Sequence, residues 1–138
     1  MPDNEVIQKK LEQMNTLMKE LEEWTSVPSD DFVRDLARLR ASERNFQLII
    51  DLAVDINARI LIKKTQAAPD TYKESFIKLG AIGILPQVLA GTLAKSVAVR
   101  NILVHEYDFN EDYQLFYSSA KEIIPAYKDY LKSIIKNV

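Results

Sequence analysis

A dense group of polar side chains that could take part in catalysis or binding lies in one short stretch, residues 99–108. It contains, in order, Arg100, Asn101, His105, Glu106 and Tyr107. An arginine can hold a phosphate through two parallel hydrogen bonds. A histidine, with an unperturbed pKa near 6.5, can give or take a proton at neutral pH. The residue types therefore suit a site that binds a phosphate and moves a proton beside it.

Helical geometry limits how these side chains can meet. At about 100° per residue, Asn101 and His105 lie one turn apart on one face, and Arg100 and Tyr107 lie two turns apart on another. Arg100 and His105 are separated by about 140° around the axis, so one straight helix does not aim both at one phosphate. Three solutions stay open: the arginine side chain bends round, the helix loosens near Asp108, or two chains build the site together.

The same residues also have ordinary structural roles. A histidine near a helix C-terminus interacts favourably with the helix dipole. An arginine paired with a glutamate or a tyrosine is often a surface contact that contributes little stability. Spacing alone leaves the structural and the functional interpretation open, because short motifs often occur by chance.

Composition narrows the chemistry. The chain has 138 residues, a net charge of −2, no cysteine and one histidine. Disulfide scaffolds, thiol nucleophiles and multi-histidine metal sites within one chain are excluded. The small negative charge argues against a protein that coats nucleic acid non-specifically. The start of the chain is polar and no apolar run is long, so we expect a soluble cytoplasmic protein without signal peptide or membrane span.

The elements that would position the polar group are helices, because glycine is scarce and apolar residues recur at spacings of three and four. In order, we expect a first helix before Thr25 and a long helix over residues 31–64. A short helix follows Thr71 and is closed by a left-handed Gly80. A fourth helix runs from Pro86 to about Tyr107, and the last helix has a kink at Pro125. The prediction is a single all-α domain over residues 1–138. Its simplest form is an up-and-down four-helix bundle with one additional short helix.

Two polar residues fall on the core stripe that is predicted for the long helix. Glu43 and Asn57 share a face with apolar residues such as Leu36. An unpaired buried carboxylate is costly. Either Arg40, Arg44 or a neighbouring helix satisfies Glu43, or this part of the stripe lines a polar cleft.

The string Arg100–Tyr107 resembles the signature of the HepT-like toxins, a branch of the HEPN superfamily. That signature is arginine, four residues, histidine, one residue and tyrosine, with asparagine directly after the arginine. Residues 40–44, which lead into an apolar helix, and residues 76–85, before the signature helix, are similar to the same family. The resemblance covers about residues 30–135 in order, without a large insertion.

The resemblance implies a HEPN-type bundle and a metal-independent endoribonuclease without a cofactor, acting as the toxin of a type II toxin–antitoxin pair. The RNA would be tRNA or mRNA. Arg100 and His105 would be catalytic, and Asn101 would be a supporting polar residue. Tyr107 would be the residue that the antitoxin, a nucleotidyltransferase of the MNT type, adenylylates.

Elementary chemistry agrees with this activity. Cleavage of RNA by transesterification needs a base for the ribose 2′-hydroxyl, an acid for the leaving oxygen and positive charge for the transition state. Because one chain has one histidine, we expect a two-fold homodimer in which both copies bring His105, Arg100 and Lys95 to a shared positive groove. The apolar residues expected to support this interface are Leu89, Leu93, Val97, Val99 and Ile102.

Two other functions stay open. A catalytically silent HEPN module would bind a nucleotide or a nucleotidyltransferase and would be free to lose His105. A plain helical-bundle adaptor would carry the signature by accident. Cleavage of RNA by the purified protein in the presence of a chelator would separate them.

Overall fold

The computed structural model describes residues 2–105 and 112–138, and these ranges contain six helices and no strand. The helices are α1 (Pro2–Trp24), α2 (Ser29–Arg34), α3 (Leu36–Thr65), α4 (Tyr72–Ala81), α5 (Gln87–His105) and α6 (Tyr113–Lys136). Four are long, whereas α2 and α4 are short. The all-α prediction is confirmed, with two short helices instead of one. No helix in the described ranges is long and apolar enough to cross a membrane.

The four long helices form the bundle. α1 packs against α3 and α6, and α5 packs against the same two helices. The Lys10–Asp55 ion pair and the hydrogen bond from Asn45 to the Leu17 carbonyl join α1 and α3 in antiparallel order. α4 covers α3 and α5, and α2 lies against α3 and α6. The first helix buries the stripe that its periodicity indicates: Ile7, Leu11, Met14, Met18 and Leu21.

The predicted helix over residues 31–64 is divided at Asp35. The Asp35 backbone is extended, with φ −93° and ψ 91°, and its side chain accepts a hydrogen bond from the Arg38 amide at 3.1 Å. An aspartate that offers its carboxylate to a nearby amide competes with helix continuation and caps the next helix. As a result Phe32 of α2 is buried, whereas Leu36, predicted on the core stripe, is 57 % exposed.

The glycine prediction for the end of α4 is wrong. Gly80 is buried inside the helix, and the left-handed residue is Gly83, with φ 81°. Gly80 serves a close helix contact instead, since a Cβ there would lie 2.8 Å from the Ala90 Cβ on α5. The start of α4 is as predicted, because Thr71 Oγ1 accepts a hydrogen bond from the Glu74 amide at 3.1 Å.

Asn57 is a partnered core residue. Its amide nitrogen donates to Ser75 Oγ at 3.0 Å, and its Oδ1 accepts from the Tyr130 hydroxyl at 2.7 Å. Burial raises the pKa of Tyr130 well above its usual value, so the hydroxyl keeps its proton and donates. The partners come from α4 and α6, so the neighbouring-helix interpretation holds for Asn57.

The last helix runs through Pro125 without a break, from Tyr113 to Lys136. The apolar and aromatic residues that repeat at helical spacing along the sequence of α6 face inward. Tyr113 is half-buried, and the buried ones are Phe116, Ile123, Tyr127, Leu131 and Ile134. Proline is tolerated here because packing of the helix against its neighbours supplies most of its stability.

Candidate functional site

Arg100 is held by side chains from three helices. Its Nε donates to Asp51 Oδ1 on α3 at 3.0 Å, and its Nη2 donates to the Tyr72 hydroxyl on α4 at 3.4 Å. Its Nη1 donates to Asn101 Oδ1 at 3.2 Å. The guanidinium carbon lies 4.5 Å from the centroid of the Tyr72 ring, within cation–π range. The Arg100 side chain is only 14 % exposed.

Local folding places Tyr72 over this guanidinium. Thr71 caps α4, so Tyr72 is the first helical residue. The Ser75 hydroxyl donates to the Tyr72 carbonyl at 2.7 Å and accepts from Asn57 of α3. The first turn of α4 is therefore tied to the buried network of α3, and the ring position follows from the core.

The contacts of Arg100 leave it able to bind an anion. A guanidinium has five N–H donors. Partners in the described part of the chain take three of them, on Asp51, Asn101 and Tyr72. One N–H on each terminal nitrogen is left, and such a pair suits two oxygens of one phosphate.

The Tyr72 phenol keeps its proton in this site. Burial and then the negative charge of Asp51 raise the pKa of Tyr72, and the positive charge of Arg100 only partly opposes them. Tyr72 is thus neutral at physiological pH. It can accept the Arg100 hydrogen bond and donate its own proton to Asp51, and this second hydrogen bond also raises the pKa of Tyr72.

A second carboxylate, Asp55, lies one turn along α3 and has different partners. Lys10 of α1 contacts it at 2.8 Å and Arg59 at 3.3 Å. Partial burial pushes the pKa of Asp55 up, but hydrogen bonds and charge from Lys10 and then Arg59 outweigh it, so that pKa lies below its usual value. Across the residues that the structure describes, no three His, Cys, Asp or Glu side chains are grouped as a metal site requires.

The other predicted site residues follow Arg100 along α5. Asn101 is exposed and contacts Arg100 as described above. α5 stays helical through His105, so the backbone keeps the angular separation of about 140° from Arg100. The His105 side chain, Tyr107 and the expected loosening near Asp108 lie outside the described residues.

Glu43 is paired through one oxygen. Arg40 Nη1 donates to Glu43 Oε1 at 2.8 Å, as one of the sequence interpretations expects. Arg40 Nη2 donates to the hydroxyl of Tyr113, the first residue of α6, at 3.1 Å. These hydrogen bonds, that of Glu43 first, raise the pKa of Arg40. Glu43 Oε2 is buried and has no hydrogen-bond partner in the described ranges.

Lys95 and Arg100 face different sides of α5 within one chain. Lys95 lines a cavity of about 200 Å³ between α5 and α6, together with Glu122. Arg100 faces α3 and α4 instead. A cleft that gathers both cations would therefore need a second copy of the chain.

Part of the apolar surface predicted for a dimer is used inside the chain. Leu93 and Val97 are buried in the core, and Leu89 and Val99 are partly buried against it. Ile102, three residues before His105, is 38 % exposed.

Known proteins are similar to this chain in sequence. A family model described as ribonuclease HepT-like matches residues 14–134. The chain belongs to the HepT-like ribonuclease family. A curated relative, tRNA nuclease HepT of Aphanizomenon flos-aquae (strain 2012/KM1/D3), is 34 % identical over 132 residues, which cover 94 % of this chain and 90 % of the relative. The family assignment made from the signature is confirmed.

Solved structures share the HepT-like fold. The tri-AMPylated HEPN toxin of Shewanella oneidensis, in complex with an MNT antitoxin, aligns with a TM-score of 0.85 and 20 % identity over 95 % of this chain and 97 % of that one. A toxin–antitoxin structure with AMP-PNP aligns with a TM-score of 0.86 and 19 % identity, over 96 % and 98 %. At these identities the likeness establishes the fold, and the HEPN-type bundle is confirmed.

Asp51 and Tyr72 are the site neighbours that sequence reasoning missed. They lie 49 and 28 residues from Arg100 along the chain. Weak signals were present: Asp51 and Asp55 repeat at helical spacing beside the core stripe, and Tyr72 directly follows a capping Thr71. Neither signal points to Arg100 without the packing of α3 and α4 on α5.

Proposed function

We propose that this HepT-like protein is a metal-independent endoribonuclease, the toxin of a type II toxin–antitoxin pair, and that tRNA is its substrate class. The observation that carries the proposal is the state of Arg100. The signature arginine is fixed by three helices, and two of its N–H groups have no partner among residues 2–105 and 112–138, so they can bind a phosphate. The 34 % identity to a tRNA nuclease over nearly the whole chain supports the choice of RNA.

The reaction is a transesterification. His105 takes the proton of a ribose 2′-hydroxyl, and the resulting oxygen attacks the neighbouring phosphorus. The bond from phosphorus to the 5′ oxygen breaks, and His105 of the partner subunit gives a proton to that leaving oxygen. Arg100 stabilises the charge that grows on the non-bridging oxygens, and Asn101 supports Arg100. The products are a 2′,3′-cyclic phosphate and a 5′-hydroxyl end.

Neutralisation acts on the same site. The partner is a nucleotidyltransferase of the MNT type that adenylylates Tyr107, two residues after His105. The fold likeness to a tri-AMPylated HEPN toxin bound to an MNT antitoxin supports this step. The added phosphate pairs with Arg100 and the adenosine occupies space that the RNA backbone needs, so modification blocks substrate by competition.

A second candidate is a catalytically silent HEPN module that binds a nucleotide or a partner protein. One observation favours it: Arg100 is largely buried and paired with Asp51 at 3.0 Å. An arginine in that state can be a structural ion pair and nothing more.

Cleavage of total tRNA by the purified, antitoxin-free protein in EDTA tests the proposal. We expect fragments whose 5′-hydroxyl ends accept phosphate from polynucleotide kinase without prior dephosphorylation. His105→Ala and Arg100→Ala should abolish them. Lys128→Ala is the control, since Lys128 pairs with Glu22 between α6 and α1. Intact tRNA would favour the silent module, and cleavage only with added Mg²⁺ would overturn metal independence.

A further inference from the structure

We propose that Asp51 and Tyr72 are positioning residues, which hold the Arg100 guanidinium in the orientation in which it binds the scissile phosphate. The inference rests on the proposed function and assigns two residues to the site that lie outside the Arg-to-Tyr signature.

The two contacts together fix a planar group. Stacking on the Tyr72 ring, with 4.5 Å from the guanidinium carbon to the ring centroid, restricts the tilt of the guanidinium plane. The in-plane hydrogen bond from Nε to Asp51 restricts rotation within that plane. A free arginine side chain has many rotamers, and ordering it when substrate binds is unfavourable. Here the order exists before the phosphate arrives.

The two contacts leave donors on the terminal nitrogens, and with Asn101 on Nη1 each terminal nitrogen still has one N–H available among the described contacts. Asp51 occupies Nε, and the Tyr72 hydroxyl takes one N–H of Nη2 at a longer 3.4 Å. An aspartate that bound both terminal nitrogens would block the donors that suit a phosphate. In the observed arrangement Asp51 holds the guanidinium at Nε, and the Tyr72 ring holds one face of the guanidinium plane.

The negative charge of Asp51 disfavours binding of the substrate phosphate before the reaction begins. Its carboxylate, 29 % exposed, is close enough to repel an approaching phosphate. Removing it should therefore leave substrate binding unchanged or tighter, while the phosphate loses an oriented partner in the transition state. A positioning role predicts a lower kcat with an equal or lower KM. A purely structural role predicts a lower melting temperature with unchanged kcat for the folded fraction.

Asp55 provides a matched control. It lies on the same helix one turn away and also forms a bridge between helices, but its cations are Lys10 and Arg59. Asp51→Ala and Asp55→Ala should each lower the melting temperature. Only Asp51→Ala should lower kcat on a single purified tRNA, by about 10- to 100-fold, the range typical of a misplaced catalytic group. Asp51→Asn keeps an oxygen acceptor and should recover part of that loss.

Two substitutions of Tyr72 remove its contacts with Arg100 in steps. Tyr72→Phe keeps the stacked ring and the Asp51–Arg100 ion pair. It loses the hydroxyl, with its 3.4 Å hydrogen bond from Arg100 and its interaction with Asp51, so it should retain most of kcat. Tyr72→Ala removes both contacts and should lower kcat as Asp51→Ala does.

A readout besides activity separates this inference from the proposed function. The Nε–H signal of Arg100 in a ¹⁵N NMR spectrum can be assigned by its loss in Arg100→Lys. We expect slow solvent exchange of that proton in the wild type and in Asp55→Ala, and fast exchange in Asp51→Ala. A wild type that cuts no RNA would overturn the proposed function alone. Wild-type kcat in Asp51→Ala, or an unchanged Arg100 signal, would overturn the positioning role.

Discussion

At the scale of single residues, Arg100 has a structural role besides its place in the signature that it shares with His105. Arg100 has an ionic partner on another helix and a stacked ring, so it contributes to the packing of three helices as well as to the site. His105 is the last residue of α5. Sequence spacing alone treats the two as equivalent, and predicts that either can be removed without harm to the fold.

Stability should therefore distinguish the two alanine variants, although both lose RNA cleavage. Arg100→Ala leaves the partly buried Asp51 without its cation and should lower the free energy of unfolding by about 1–3 kcal/mol. His105→Ala should leave it nearly unchanged and reduce the cleavage rate by about 10²- to 10⁴-fold, the usual contribution of a proton-transfer group. Urea unfolding and tRNA cleavage measure these effects. An unfolded His105→Ala protein would make that residue structural.

The proposed regulation by adenylylation can be tested at Tyr107. Tyr107→Phe removes only the hydroxyl, so it should keep the fold and cleavage while it loses adenylylation. Intact mass after co-expression with the cognate nucleotidyltransferase measures the change, and we expect adenylate on the wild type and none on the variant. Tyr113→Phe, which changes another tyrosine beyond the signature, is the control and should still be modified. Adenylate on a different residue of the wild type would favour simple steric inhibition by the partner.

At the scale of elements, the sequence predicted which segments are helical better than it predicted where the helices begin and end. Apolar spacing found every long helix, because each one buries a continuous stripe. The break at Asp35 was missed because no proline or glycine marks it, and a carboxylate that caps Arg38 can also stand inside a helix. Gly80 was misassigned because sequence does not show whether a glycine is needed for its backbone or for a neighbour. Here the neighbour is Ala90.

The α4–α5 contact links this helix packing to the site, because α4 carries Tyr72 and α5 carries Arg100. Gly80→Ala would place a Cβ 2.8 Å from the Ala90 Cβ and force the two helices apart. We expect a loss of about 1–3 kcal/mol, as for other overpacked contacts, and reduced tRNA cleavage because the Tyr72 ring moves off Arg100.

Gly91→Ala is the matched control for that prediction. Gly91 lies inside α5, and a Cβ there meets nothing within 4 Å. Alanine is the better helix former by about 1 kcal/mol, so this variant should be more stable than the wild type and fully active. Equal melting temperatures for the two variants would contradict the close-packing role of Gly80.

At the scale of the whole molecule, the geometry of α5 argues for a site shared by two copies. Arg100 turns toward α3 and α4, and the helix stays regular to His105. The angular separation that the sequence predicts therefore persists, and loosening does not begin before His105. The partners of Arg100 could not be predicted from sequence, since they depend on how three helices pack. The proposal of a second chain could be made from the sequence, because it rests on one histidine and one helical angle.

Mixing the wild type with an inactive variant tests the shared site directly. If one cleavage needs His105 of both copies, a dimer of wild type with His105→Ala is inactive. An equilibrated equimolar mixture should then keep about a quarter of the cleavage rate of the same total amount of wild type, since about a quarter of the dimers are wild type in both copies, whereas a site within one chain would keep about half. Sedimentation at tens of micromolar should show dimers for the wild type. Ile102→Glu puts a charge on an exposed apolar position of α5 and should give a folded, inactive monomer. A wild-type monomer, or a mixture that keeps about half of the wild-type rate, would assign the whole site to one chain.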